Sequence, residues 1–158
     1  MKRTFRTAVG KGGFTMIEAI AVLVILGIVA AVAAVRMSDT SAYDRASQVE
    51  AIKGHLRYAQ TRAMNSNLVF WGINFGSATT YYLFQGAGST TAVQLPGEDS
   101  STINLIAKKS GLTITAVRIT FNEFGSPCDA AGVPLTADAT VTTSGGTITV
   151  TKNTGFIL

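Results

Sequence analysis

The chain has 158 residues, 47% of them hydrophobic and only 14% charged, with 13 Lys and Arg against 9 Asp and Glu. One cysteine and one histidine exclude an internal disulfide and a His- or Cys-rich metal cluster, and the length suits a single small core. The positive charge is local: Lys2, Arg3, Arg6 and Lys11 precede Phe14, leaving nine basic and nine acidic residues beyond, without the basic bias expected of a nucleic-acid binder.

From Phe14 to Val35 the only polar side chains are Thr15 and Glu18. As a helix rising about 1.5 Å per residue, this run is roughly 33 Å long, enough to cross the hydrocarbon core of a bilayer. A carboxylate in such a segment costs roughly 2.5–3.5 kcal/mol on insertion scales, so Glu18 calls for a partner. The basic residues ahead of it are expected to stay cytoplasmic, with the rest of the chain on the other side. Gly27 sits mid-segment, where glycine costs about 0.5–1 kcal/mol relative to alanine. It reads either as a close-packing position against a neighbouring helix or as a hinge.

After Arg36-Met37-Ser38-Asp39, apolar residues recur at Ala46, Val49, Ile52, Leu56, Ala59 and Ala63, flanked by Arg45, Glu50, Lys53, Arg57 and Arg62. Spacings of three and four predict an amphipathic helix over 36–66, packed on a sheet. No proline interrupts residues 14–66, and Asn65-Ser66-Asn67 supplies a stop. One nearly continuous helical rod is expected, with a kink where Ser38, Asp39, Thr40 and Ser41 compete for backbone hydrogen bonds.

Beyond residue 67 the period becomes two. Leu68–Phe75 and Thr80–Phe84 predict a hairpin across Gly76-Ser77; Thr102–Ala107, Leu112–Phe121, Ala139–Thr143, Thr147–Thr151 and the tail Thr154–Leu158 predict further strands. Asn122–Pro127 reads as a turn after a strand. In the aromatic set Phe70, Trp71, Tyr81, Tyr82 and Phe84, strand alternation sends at least half into the core.

Candidate chemistry is sparse. His55 lies at the edge of the amphipathic stripe with no second histidine, Glu98-Asp99 reads as a solvated turn, and Lys108-Lys109 as a solvated strand end. Cys128 reads as a small buried or half-buried loop residue, with an intermolecular bridge or a reactive thiol as alternatives. No catalytic residue, cofactor or metal site is expected.

A short basic leader ending in Gly13, then Phe14-Thr15-Met16-Ile17-Glu18 and an apolar helix, resembles the class III signal of type IV pilins and type II secretion pseudopilins. The resemblance covers residues 1 to about 38. It implies cleavage between Gly13 and Phe14 by a prepilin peptidase, and N-methylation of the new Phe14 amine. It also implies assembly through the helix with Glu18 in a docking role. The implied partners are sibling pilins, an inner-membrane platform and its ATPase.

The body is similar to the pseudopilin H/FimT group, including MshC-like minor pilins. That similarity rests on His55–Ala63, Ile119–Gly125, Ile148–Val150 and Thr154-Gly155. DNA-uptake members of the group carry a basic tail after Thr-Gly; here the tail is Phe156-Ile157-Leu158, so DNA binding is not carried over. Several pilin families staple this region with a disulfide, so strand pairing is expected to hold the tail instead.

The expected protein is therefore α+β and pilin-like. Residues 1–13 form the removed leader, 14–35 the membrane half of the helix, 36–66 its amphipathic half and 67–158 a β-rich periplasmic or extracellular part. Its expected role is that of a structural subunit, minor rather than major, first in the inner membrane and then in a filament. The alternatives are a major subunit of such a filament, an ordinary secretory signal cut after Ala31-Val32-Ala33, and a single-pass anchored periplasmic binding protein that never polymerises. Against the secretory signal, the apolar run is long, begins with a glutamate, and helical periodicity continues past the cut.

Overall fold

A computed structural model describes residues 13–37, 40–66, 70–86, 91–108 and 110–158. The chain falls into two units, residues 1–39 and residues 40–158. In the first, helix α1 spans Met16–Met37. Thr15 begins it: its hydroxyl accepts from the Glu18 N–H at 3.3 Å, and its carbonyl accepts from Glu18 and Ala19. This is the N-terminal half of a capping box, with Glu18 at the third helical position, where negative charge also suits the helix dipole. The basic leader up to Gly12 and the expected kink at Ser38 and Asp39 lie outside the described residues.

In the second unit, α2 spans Thr40–Met64. Its stripe of Val49, Ile52, Leu56, Ala59 and Ala63 is buried, and burial contributes roughly 1.5–3 kcal/mol for each large side chain such as Ile52 or Leu56. Ala46, expected on the stripe, is exposed. Val49 and Arg45 pack beside the turn at Gly145 while Ala46 faces outward. The helix stops at Asn65-Ser66 as expected, and Ser66 Oγ accepts from the Trp71 indole at 2.9 Å; Asn67 lies outside the described residues.

Six strands form the main antiparallel sheet: β1 Trp71–Phe75, β2 Thr80–Gln85, β3 Ala92–Val93, β4 Thr102–Asn104, β5 Val117–Phe121 and β6 Pro127–Cys128. The order is β3-β2-β1-β5-β6, and β4 pairs with β2 beside β3. The predicted hairpin is β1–β2, with Ile73 opposite Leu83; Ser77 Oγ closes its turn by accepting from the Thr79 and Thr80 N–H groups. Leu68 and Val69, predicted to open its first strand, lie outside the described residues. A separate ribbon pairs β7 Ala139–Thr143 with β8 Gly146–Val150. Its inward residues Val141, Ile148 and Val150 join the core formed by α2 and the main sheet.

Several strands are shorter than their sequence pattern. The run predicted to reach Ala107 ends at Asn104, whose Oδ1 accepts from the Ile106 and Ala107 N–H groups and turns the chain. Of Leu112–Phe121 only Val117–Phe121 joins the main sheet, while Ile114 bridges to Thr143. Cys128 is not in a loop: it is buried in β6, opposite Thr120, after a tight turn that Asn122 closes by accepting from the Phe124 and Ser126 N–H groups.

The tail makes one isolated bridge, Ile157 to Val150, and a backbone pair between Leu158 and Thr149. Strand pairing is thus only part of what holds it. Gln60 Nε2 donates to the carbonyls of Gly125 at 2.8 Å, Gly155 at 3.0 Å and Thr154 at 3.3 Å, and Arg57 donates to that of Ile157. Gly155 sits at φ 64°, in the left-handed region, and a Cβ there would press on the Gly125 carbonyl oxygen.

Gly72 is the tightest position in the sheet. A Cβ there would collide with the Ile119 carbonyl oxygen of β5 and stand 2.7 Å from the Phe84 ring. Gly72→Ala is therefore expected to destabilise the second unit by about 3 kcal/mol or more, because backbone rather than a flexible side chain must give way. Thermal unfolding followed by circular dichroism checks this; an unchanged midpoint would contradict the packing described.

Candidate functional site

Gly13, Phe14 and Glu18 lie together at the start of α1. Gly13 and Phe14 precede the first helical turn in non-helical backbone, and both are exposed, Phe14 to 82%. This is an accessible, non-helical peptide bond followed directly by a capped helix. The Thr15 cap itself was not singled out in the sequence, although Thr-x-x-Glu ahead of an apolar run is its signature.

Along α1, every residue from Met16 to Ala34 is exposed, including Ile20, Leu23, Ile25, Leu26, Ile28 and Val29. The span Met16–Ala34 is long and apolar enough to cross a membrane, and none of it is buried within the chain. An apolar surface of this extent has to be covered by lipid or by other chains. Gly27 lies within unbroken helix, about 13–14 Å along the axis from Glu18. A Cβ there would meet none of the described residues within 4 Å, so close packing at Gly27 would involve a neighbour.

A second group of polar side chains forms in the folded unit. His55 on α2 has Nδ1 3.0 Å from the Tyr81 hydroxyl on β2, and Nε2 4.0 Å from Glu98 Oε1. Lys108 Nζ is 2.7 Å from Glu98 Oε2. Glu98 is therefore no solvated turn residue: its side chain is 15% exposed and ion-paired. Lys108 is likewise tied down, while Lys109 lies outside the described residues. Burial and then the negative charge of Glu98 push the Tyr81 phenol well above its ordinary range. His55 is pushed down, mainly by burial. No spacing in the sequence links positions 55, 81, 98 and 108, because α2, β2, the β3–β4 connection and the turn after β4 each supply one of them.

Cys128 is buried and free, and burial followed by Asp129 pushes its thiol up to about 11. It stays protonated at neutral pH, which favours the inert reading over a reactive thiol. Among the aromatics, Trp71, Tyr81 and Phe84 are buried while Phe70 and Tyr82 are half-buried, so the set lines no open groove as a whole.

No curated protein and no solved structure matches the chain. A family model does match residues 10–34, that of the prokaryotic N-terminal methylation motif. The matched stretch takes in Gly13, Phe14, Glu18 and the exposed apolar helix up to Ala34. This class III prepilin leader on a membrane-length helix, ahead of an α+β body, supports the type IV pilin and pseudopilin superfamily and implies processing by a prepilin peptidase and assembly with other pilins.

Proposed function

We propose that the chain is a structural, non-enzymatic subunit of a type IV pilus or type II secretion pseudopilus, built into the filament through α1. The observation that carries this reading is the wholly exposed apolar surface from Met16 to Ala34, headed by a carboxylate. A simple anchor needs the surface but has no use for Glu18 within it. A subunit that leaves the bilayer for a helical bundle needs both.

In this reading the peptidase cuts between Gly13 and Phe14, and the new amine is N-methylated. The helix crosses the inner membrane with its start cytoplasmic and the β-rich part periplasmic, and a platform with its ATPase drives assembly. The minor-subunit assignment and the likeness to the H/FimT group rest on His55–Ala63, Ile119–Gly125, Ile148–Val150 and Thr154-Gly155. Shearing filaments from cells and probing them for this chain tests the proposal. Recovery in the filament fraction supports it, and strict retention in the inner membrane opposes it.

Gly27 refines the same reading. Gly27→Leu is expected to reduce incorporation severalfold, since a bulky group there would separate helices that pack closely. Gly27→Ala distinguishes packing from flexibility. Wild-type filament yield together with wild-type hydrogen-exchange protection in the alanine variant would remove the hinge role.

A further inference from the structure

We propose that the folded unit of residues 40–158 stacks head to tail on a second copy of itself. The exposed Ile106 of one copy sits in the cleft between Phe70 and Phe124 of the next, and its Lys108 pairs with Glu123 there. This contact rests on the filament reading above and names a surface through which one subunit meets another.

The two surfaces lie at opposite ends of the folded unit. The turn at Asn122–Gly125 sits beside the end of α2: a Cβ on Gly125 would stand 2.9 Å from Met64 Sδ, and Gln60 donates to the Gly125 carbonyl. The turn carrying Ile106 is tied to the first half of α2 through a chain of contacts. Leu105 N–H donates to the Thr79 carbonyl and Ile114 N–H to that of Ala78. Ile114 also bridges to Thr143, and the next turn, at Gly145, packs beside Arg45 and Val49. From Arg45 to Met64 the helix rises about 28 Å. A contact between unlike patches so far apart is heterologous: it does not close on two copies but repeats from one to the next.

Each surface is fixed before it meets the other. On the cleft side, Phe70 and Phe124 wall a volume of about 170 Å³ with Gly132, where a Cβ would collide with the Phe70 ring. Asn122 holds the turn by accepting from the Phe124 and Ser126 N–H groups, leaving Phe124 exposed. Glu123 on the rim is exposed and makes no hydrogen bond or ion pair among the described residues. On the other side, Asn104 Oδ1 accepts from the Ile106 and Ala107 N–H groups and holds Ile106 out in solvent, 69% exposed. Lys108 bonds Glu98, yet its side chain is 43% exposed and an ammonium has three donors, so it can bond a second carboxylate. An aliphatic knob beside a cation thus meets an aromatic cleft beside a free carboxylate. The chain carries both halves of that match, which is why a second copy is the occupant. Rigid presentation on both sides keeps the ordering cost of the contact low.

Cross-linking in sheared filaments tests this with A107C and A131C, which place thiols at exposed positions beside the knob and in the cleft while Ile106 and Phe124 stay intact. Cys128 is buried, so the wild type is the unlinked control. With a short bis-maleimide, the double variant should give a ladder of dimers, trimers and longer chains, and neither single variant should. Filaments that hold the double variant without a ladder, or with links only to sibling subunits, would overturn the contact. Should the double variant stay out of filaments, the two single variants co-expressed with different tags decide: a link between them is required, and its absence overturns the contact equally. Ile106→Asp should lower filament yield severalfold at an unchanged thermal midpoint, and wild-type yield would count against the knob. Wild-type chain missing from the filaments defeats the filament reading and this contact with it, whereas chain present but unlinked defeats the contact alone.

Discussion

Replacing Gly13 with valine is expected to leave the protein in the membrane as an untrimmed precursor. A peptidase needs an unencumbered extended backbone beside the bond it cuts, and glycine alone has no Cβ. In this chain Gly13 lies outside α1, and a Cβ there meets no atom within 4 Å. Valine therefore meets none of the described residues, and a processing defect would report the peptidase's requirement. Losing even about 1.4 kcal/mol in that step slows trimming tenfold. The uncut chain should be about 1.4 kDa heavier than the mature one, the mass of residues 1–13. Normal trimming of Gly13→Val would sink the cleavage assignment.

Glu18→Ala is expected to be inserted and trimmed, with its β-rich part folded, yet absent from filaments. Cleavage after Gly13 creates an α-amino group on Phe14 that is mostly protonated at neutral pH and stays basic when monomethylated. A subunit displaced along the filament axis can offer its Glu18 to the amine of an incoming Phe14. In the low-dielectric bundle, leaving either charge unpaired costs about 3–5 kcal/mol, enough to lower incorporation a hundredfold or more.

The Thr15 cap sharpens this test, because Glu18 also sits in the first turn of α1, where alanine would weaken the helix start. Glu18→Gln separates the two roles. Glutamine suits the capping-box position but carries no charge. Both variants should be lost from sheared filaments while wild-type subunits in the same cells are retained. Incorporation of the glutamine variant at wild-type levels would reduce Glu18 to a capping residue and remove the docking mechanism.

What the sequence revealed depended on how local the signal was. The apolar span of α1, the buried stripe from Val49 to Ala63 and the ribbon Ala139–Thr143 with Gly146–Val150 follow from periodicity within one element, and each appears nearly where its pattern places it. Strand ends were lost where one polar side chain turns the backbone, as Asn104 does by accepting from two N–H groups. The short β3 and β6 carry too few residues to show a period at all. Contacts across long separations were invisible for a different reason. Nothing near Gln60 announces that its amide will reach Gly125 and Gly155, and nothing near Glu98 announces Lys108 and His55. At the N-terminus, by contrast, Gly13, Phe14 and Glu18 lie within six consecutive positions, so a candidate site there can be read without a fold.

The central claim is that α1 enters the membrane as part of a precursor and leaves it as the core of a filament, and the chain's own terminus records whether the first half of that is true. Intact-mass measurement of the protein extracted from membranes reads it directly. The account predicts a chain beginning at N-methyl-Phe14, about 1.4 kDa lighter than the full sequence. A chain that begins at Met1, or near residue 34 after an ordinary secretory cut, would contradict it.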